Sequence, residues 1–134
     1  MSLENFLKNR NMEPANTFDD SGVIAGTIIL RANNAYQVIP INKIVYCVAD
    51  GSYTTVQLDD GSHFYTSRLL ADFERLLEKS TFCRCHKSFL VNCLKVEKLD
   101  RKKKLLTASG YQIPISRRKC CLIRAKLNHF NDHF

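Results

Sequence analysis

The chain has no long uncharged apolar run. Nothing in its 134 residues approaches the roughly 20 consecutive apolar positions that a bilayer-spanning helix requires, and no signal-peptide pattern opens it. A cytoplasmic protein without a membrane partner is the expectation. Acidic residues are also scarce, 13 against 20 lysines and arginines, for a formal net charge of +7. That imbalance points to an anionic partner: nucleic acid, an acidic protein or a membrane surface. Catalytic signatures are missing as well. There is no paired-carboxylate site, glycine-rich phosphate loop, HExxH or GxSxG, and the few acids fall mostly in expected turns or on an expected helix. No internal repeat, low-complexity tract or coiled-coil heptad interrupts the chain.

What is present is one domain's worth of core, 45% hydrophobic residues, and an uneven placing of charge. From Arg84 to Lys126 thirteen lysines and arginines stand against two acids, Glu97 and Asp100. Six cysteines without an export signal are expected to be reduced and to serve as small apolar residues. Cys83, Cys85 and His86, with Cys120-Cys121, invite a zinc reading. A CxC inside an apparent strand lacks the turn of a zinc knuckle, so no metal or other cofactor is expected.

Residues 1–22 carry no lasting periodicity and end in Asp19-Asp20-Ser21-Gly22, which suggests a leader or linker ahead of a domain spanning 23–134. Met1-Ser2-Leu3 has the look of a cloning remnant, as if the chain were cut from a longer protein. From Val23 onward short β-rich segments follow one another: 27–30, 35–39, 43–49, 53–58 and 62–66, punctuated by Asn33-Asn34, Asp50-Gly51 and Asp59-Asp60-Gly61. Alternation in the fourth puts Thr54, Val56 and Leu58 on one face and Tyr53, Thr55 and Gln57 on the other.

Ser67 is positioned to cap a helix over 68–79, with Leu69, Leu70, Phe73, Leu76 and Leu77 as its apolar stripe. Strands resume at 82–86, 90–100, 104–108 and 111–115. A last helix is expected with Ser116 as N-cap and Arg117-Arg118-Lys119 as its first turn. Cations there oppose the helix dipole, so a phosphate site explains them better than local stability does.

Between Phe82 and Asn92 the sequence gathers Arg84, His86, Lys87, Ser88 and Asn92, all able to grip phosphates or base edges. As a plain strand it places Arg84 and His86 on one face, opposite Cys83, Cys85 and Lys87. Cys85 and His86 then point apart and cannot readily act as nucleophile and base. The turn Asp50 to Thr55 adds hydroxyls and the aromatic Tyr53. Arg101-Lys102-Lys103-Lys104 forms a basic turn suited to phosphates or to water, with no base specificity of its own.

Three stretches, Asp50-Gly51-Ser52-Tyr53, then Arg84-Cys85-His86-Lys87-Ser88-Phe89-Leu90-Val91-Asn92, then Ile113-Pro114-Ile115-Ser116-Arg117-Arg118, resemble in order and spacing the LytTR family of bacterial DNA-binding domains. The likeness runs from about Val23 to Leu127. It implies a mainly β fold of short antiparallel sheets, with one amphipathic helix in the middle and a C-terminal helix, whose loops enter successive major grooves of double-stranded promoter DNA. Such domains usually follow a phosphorylated receiver in a two-component response regulator, and two copies sit on repeated half-sites. Carried over to this chain, the contacts are Tyr53, His86, Lys87 and Arg117, with Arg84, Ser88, Arg118 and Lys119 beside them. Lys87 stands where the family commonly has arginine, and a lysine offers a point charge in place of a planar fork. Two other readings remain open. One is RNA or single-strand recognition, which needs exposed aromatics such as Tyr53, whereas Phe89 is expected to be buried. The other is a cysteine-based redox sensor, which needs an exposed, acidic Cys85.

Overall fold

The structure, a computed structural model, describes residues 23–24, 26–32, 34–77 and 81–130. The expected leader 1–22, residue 33 of the first turn and residues 78–80 of the expected helix lie outside the described residues.

Among the described residues eleven strands form three antiparallel sheets. β1 (Val23–Ile24), β2 (Thr27–Ala32) and β3 (Ala35–Pro40) make the first. The central sheet has the order β6-β5-β4-β8-β7, from β4 (Ile44–Asp50), β5 (Tyr53–Leu58), β6 (His63–Thr66), β7 (Phe82–His86) and β8 (Phe89–Asn92). β9 (Val96–Asp100), β10 (Leu105–Ala108) and β11 (Tyr111–Pro114) make the third, with β10 in the middle. Helix α1 (Leu70–Leu76) joins β6 to β7, and α2 (Cys120–Phe130) closes the described chain.

The central sheet carries an apolar cluster on each face. Ile44, Cys47, Val56, Phe82 and Leu90 meet Ile28, Leu30 and Ile39 of the first sheet and Leu70, Phe73 and Leu77 around α1. On the other face Val45, Cys83, Cys85 and Val91 meet Leu106, Ala108 and Ile113 of the third sheet and Cys120, Ile123 and Leu127 of α2. Neighbours in sequence go to opposite clusters, Phe82 and Cys83 or Leu90 and Val91, because side chains alternate across a strand. Covered on both sides, such strands carry near-continuous apolar runs. Five of the six cysteines are buried and pack as small hydrophobes; only Cys121 is exposed. Phe73, fully buried, contributes about 1.5–3 kcal/mol by leaving water.

Several expected boundaries move, each for a local reason. α1 starts at Leu70 because Asp72 accepts the Leu69 N–H (3.3 Å), while Thr54 Oγ1 donates to the Arg68 carbonyl (2.6 Å) and holds that segment outside the helix. Ser67 is therefore not the cap, and Leu69 is exposed. The single strand expected over 90–100 is broken by a 3-10 turn at Cys93–Lys95. Asn92 makes the break: its Oδ1 accepts from Leu94 N–H (3.1 Å) and Thr81 Oγ1 (2.6 Å), and its Nδ2 donates to the Ile44 carbonyl (3.0 Å). With its amide spent in this way and 2% exposed, Asn92 ties β4, Thr81 and the turn after β8 together instead of facing solvent. Arg117–Lys119 likewise forms a 3-10 turn, α2 beginning only at Cys120, and the Ser116 side chain caps nothing.

Candidate nucleic-acid interface

Antiparallel pairing brings three loops to one end of the central sheet. β4 pairs with β5 through Asp50↔Tyr53, and with β8 through Val48↔Phe89. The β4–β5 turn, residues 51–52, therefore lies beside the β7–β8 turn, residues 87–88. The Ala49 N–H donates to the Ser88 carbonyl (2.8 Å) and ties them together. On the other side, the segment leaving β11 is held twice: Ser116 N–H donates to the Cys85 carbonyl (2.9 Å) and Ile115 N–H to the Lys104 carbonyl (2.9 Å). The second bond adds a fourth loop, since the β9–β10 turn over 101–104 stands at the same end of the third sheet, where Leu105 pairs with Pro114. The order along this edge is the β4–β5 turn, the β7–β8 turn, the Ile115–Lys119 connector and the basic turn.

Exposed side chains populate the row. Tyr53, with 55% of its surface in solvent, projects from the first loop, Lys87 from the second, Arg117 and Arg118 from the third, and Arg101, Lys102 and Lys103 from the fourth. Ser88 and Lys119 are half-buried. Thr54, expected to present a hydroxyl, is fully buried with its Oγ1 on the Arg68 carbonyl.

The β7–β8 turn is built around a bulge. Arg84 pairs with Leu90 and His86 with Phe89, which leaves Cys85 as the extra residue. The strand alternation expected for Arg84 and His86 therefore fails. Arg84 lies on the α1 side, whereas His86 stands edge-on to the Phe89 ring (5.9 Å between centroids), and Phe89 packs on the second cluster. Phe89 itself is half-buried rather than buried, held by Tyr46 at 5.8 Å.

Arg84 serves the turn, not the surface. Its Nε donates to the His86 carbonyl (3.1 Å), one Nη to the Lys87 carbonyl, and the other Nη pairs with Glu74 Oε1 of α1 (2.9 Å). The guanidinium thus clamps two consecutive carbonyls and is itself anchored. Three of its five donors are thereby committed inside the protein. The Ser88 N–H donates to His86 Nδ1 (3.1 Å), so the neutral ring carries its proton on Nε2 and presents a donor of fixed orientation.

Glu74 was not legible in the sequence as part of the site, because ten residues and a change of element separate it from Arg84. The contribution of 101–104 was legible only as charge; its Ile115 contact depends on sheet pairing.

The anion site expected at a helix N-terminus loses its geometry here. Arg117–Lys119 is a 3-10 turn, the Ser116 amide is spent on Cys85, and the Lys119 amide donates back to Ser116 (3.1 Å). What remains there is exposed charge. Cys85 is fully buried, its Sγ donates to the Phe89 carbonyl (3.7 Å), and burial pushes its thiol up to about 12. That is the reverse of the acidic, exposed thiol a Cys85 sensor needs. Among the described residues no three His, Cys, Asp or Glu side chains are grouped as metal ligands, and no helix is long and apolar enough to cross a membrane.

A mainly β domain that lines up four loops along one edge, most of them cationic, is built to meet an extended polyanion. Residues 34–128 match the family described as LytTr DNA-binding domain, and the chain belongs to that family of DNA-binding domains, which is not an enzyme family. It is similar to a solved LytTr DNA-binding domain from a Bacillus cereus protein described as a methyl-accepting/DNA response regulator: TM-score 0.66 and 27% identity, covering 78% of this chain and 98% of that one. It is also 30% identical over 95 residues to the heme-containing CO-sensing transcriptional regulator RcoM 2 of Paraburkholderia xenovorans strain LB400. That match covers 67% of this chain and 35% of the regulator, so the chain spans about a third of that relative's length.

Proposed function

We propose that this chain is the sequence-specific, double-stranded DNA-binding effector domain of a bacterial transcriptional regulator. The observation that carries the reading is the row of four loops joined by the Ala49–Ser88, Ser116–Cys85 and Ile115–Lys104 hydrogen bonds. Loops held at fixed spacing suit a duplex, whose grooves recur at fixed intervals; a single strand has no such repeat. Tyr53, His86, Lys87 and Arg117 are assigned to base edges or adjoining phosphates, with Ser88, Arg118 and Lys119 flanking them and Arg84 as a positioning residue. The exposed cations of 101–103 are assigned to flanking phosphates, where they add affinity without sequence information.

The domain occupies 23–134, with 1–22 as leader or linker. In the full-length regulator it is the output half behind an input domain, a receiver in the two-component arrangement, acting in the cytoplasm as two copies on repeated half-sites. The Bacillus cereus relative is described as a response regulator and the Paraburkholderia relative as a CO sensor.

The test is an anisotropy titration of genomic duplex fragments across salt concentration. A subset of duplexes should bind far above the rest, and Arg117→Ala should cost about 1–3 kcal/mol on that subset while leaving the others nearly unchanged. Single strands bound as tightly as the best duplex would sink the proposal in favour of single-strand or RNA recognition.

A further inference from the structure

The base of the hairpin whose tip carries His86 and Lys87 holds a second chemical feature, on the side away from the loops. Cys83 Sγ and Cys93 Sγ lie 2.8 Å apart, one in β7 and the other in the turn after β8. Thr81 and Cys93 are joined across this base by a backbone hydrogen bond (2.9 Å), so the two thiols face the same cluster from neighbouring chain segments. We infer that Cys83 and Cys93 form a redox-active dithiol that a hydroperoxide converts reversibly into an intramolecular disulfide. A bonded pair is about 2.0 Å apart, so closure needs the sulfurs to approach by under about 1 Å.

Cys83 borders a cavity of about 180 Å³ whose wall includes Arg84, Lys119 and Lys126, large enough for a small peroxide. The Lys126 ammonium is fixed there by donating to the Phe82 carbonyl (2.6 Å). With the Cys83 thiol as donor in the pair, the bond it gives lowers the Cys93 thiol, and the Lys126 charge adds to this, although burial opposes both. The same hydrogen bond, with burial, raises Cys83. Cys83 is the less buried residue of the pair.

The chemistry balances with the hydroperoxide as sole oxidant. At one of the two sulfurs an S–O bond forms, the O–O bond breaks, and the departing hydroxide takes that thiol's proton as water, leaving a sulfenic acid. The second sulfur then attacks the first. The S–S bond forms, the S–O bond breaks, and the second hydroxide leaves as water with the second thiol's proton. Two thiols lose two electrons and hydrogen peroxide becomes two waters.

The experiment is peptide mapping of the wild-type chain after hydrogen peroxide and alkylation of the remaining thiols. The expected product is a monomer in which the Cys83 and Cys93 peptides are linked, and dithiothreitol should release them. Cys85→Ala should keep the link and Cys93→Ala should abolish it. Alkylation of both Cys83 and Cys93 after peroxide overturns the inference. So does a link that runs instead through Cys85, or through the exposed Cys121 of two copies. Mapping the wild-type chain decides the matter even if a core variant fails to fold.

Discussion

The two basic turns of this domain, His86 to Ser88 and Arg101 to Lys104, look alike as charge and differ in how they are held. The first is braced from outside itself: Arg84 clamps the His86 and Lys87 carbonyls, Ala49 holds Ser88, and Ser88 fixes the His86 ring. The second is held mainly by its own Asp100, which accepts the amides of Lys103 (2.9 Å) and Lys102 (3.1 Å), plus the one bond from Ile115 to Lys104. Reading a base edge requires donors held to within a fraction of an ångström, whereas neutralising a phosphate requires only charge nearby. Under the proposed function, specificity is assigned to the braced turn and affinity to the self-held one.

Breaking the braced turn should have the largest effect. His86→Ala removes the oriented Nε2 donor and should cost about 1–3 kcal/mol on the preferred duplex alone, read as a specificity ratio by competition titration. Arg84→Lys tests bracing itself, since it keeps the charge and loses the fork across two carbonyls. Roughly 1–2 kcal/mol of specific affinity should go, with an unchanged salt slope on nonspecific DNA. Loss of nonspecific binding in equal measure would show that Arg84 is a contact and not a brace.

Lys103→Ala should do less and do it uniformly. All duplexes weaken by under about 1 kcal/mol, and the salt slope falls by about 1. A sequence-dependent loss there would dissolve the distinction between the turns. The smallest effect is in pH. The amide bonds from Lys103 and Lys102, helped by nearby lysine charges, hold the Asp100 carboxyl below its usual range. A carboxylate depressed in the folded state supports its turn at every pH above the ordinary carboxylate range, and that support fades as pH falls through the depressed value. The Lys102 and Lys103 amide resonances should therefore stay constant near neutrality and shift only in acid.

Much of the fold was legible. The succession of short strands follows from alternation and turn chemistry, whereas the β4–β8 pairing at the centre of the main sheet does not. The Tyr53–Leu58 strand has the expected bounds, and its Thr54, Val56 and Leu58 are buried as one face. On the opposite face Gln57 is buried too, because its Nε2 donates to the Tyr111 hydroxyl (3.1 Å) on the third sheet, a partner 54 residues away. The errors cluster where a side chain replaces a backbone partner. Asn92 broke an apolar run that reads as one strand, Asp72 took the capping role assigned to Ser67, and a bulge at Cys85 separated Arg84 from His86. Each depends on a partner that local periodicity cannot supply.

By itself the sequence determined the class of partner and the residue types at the interface, since net charge, turn residues and strand alternation are local properties of the chain. Only the tertiary structure decided which cations are free to act. Arg84 and Lys87 are three residues apart and carry the same charge. One is folded onto the carbonyls of its own turn and a helix carboxylate; the other is left in water. A guanidinium binds whatever acceptors it meets first, and those acceptors exist only once the bulge and α1 are in place.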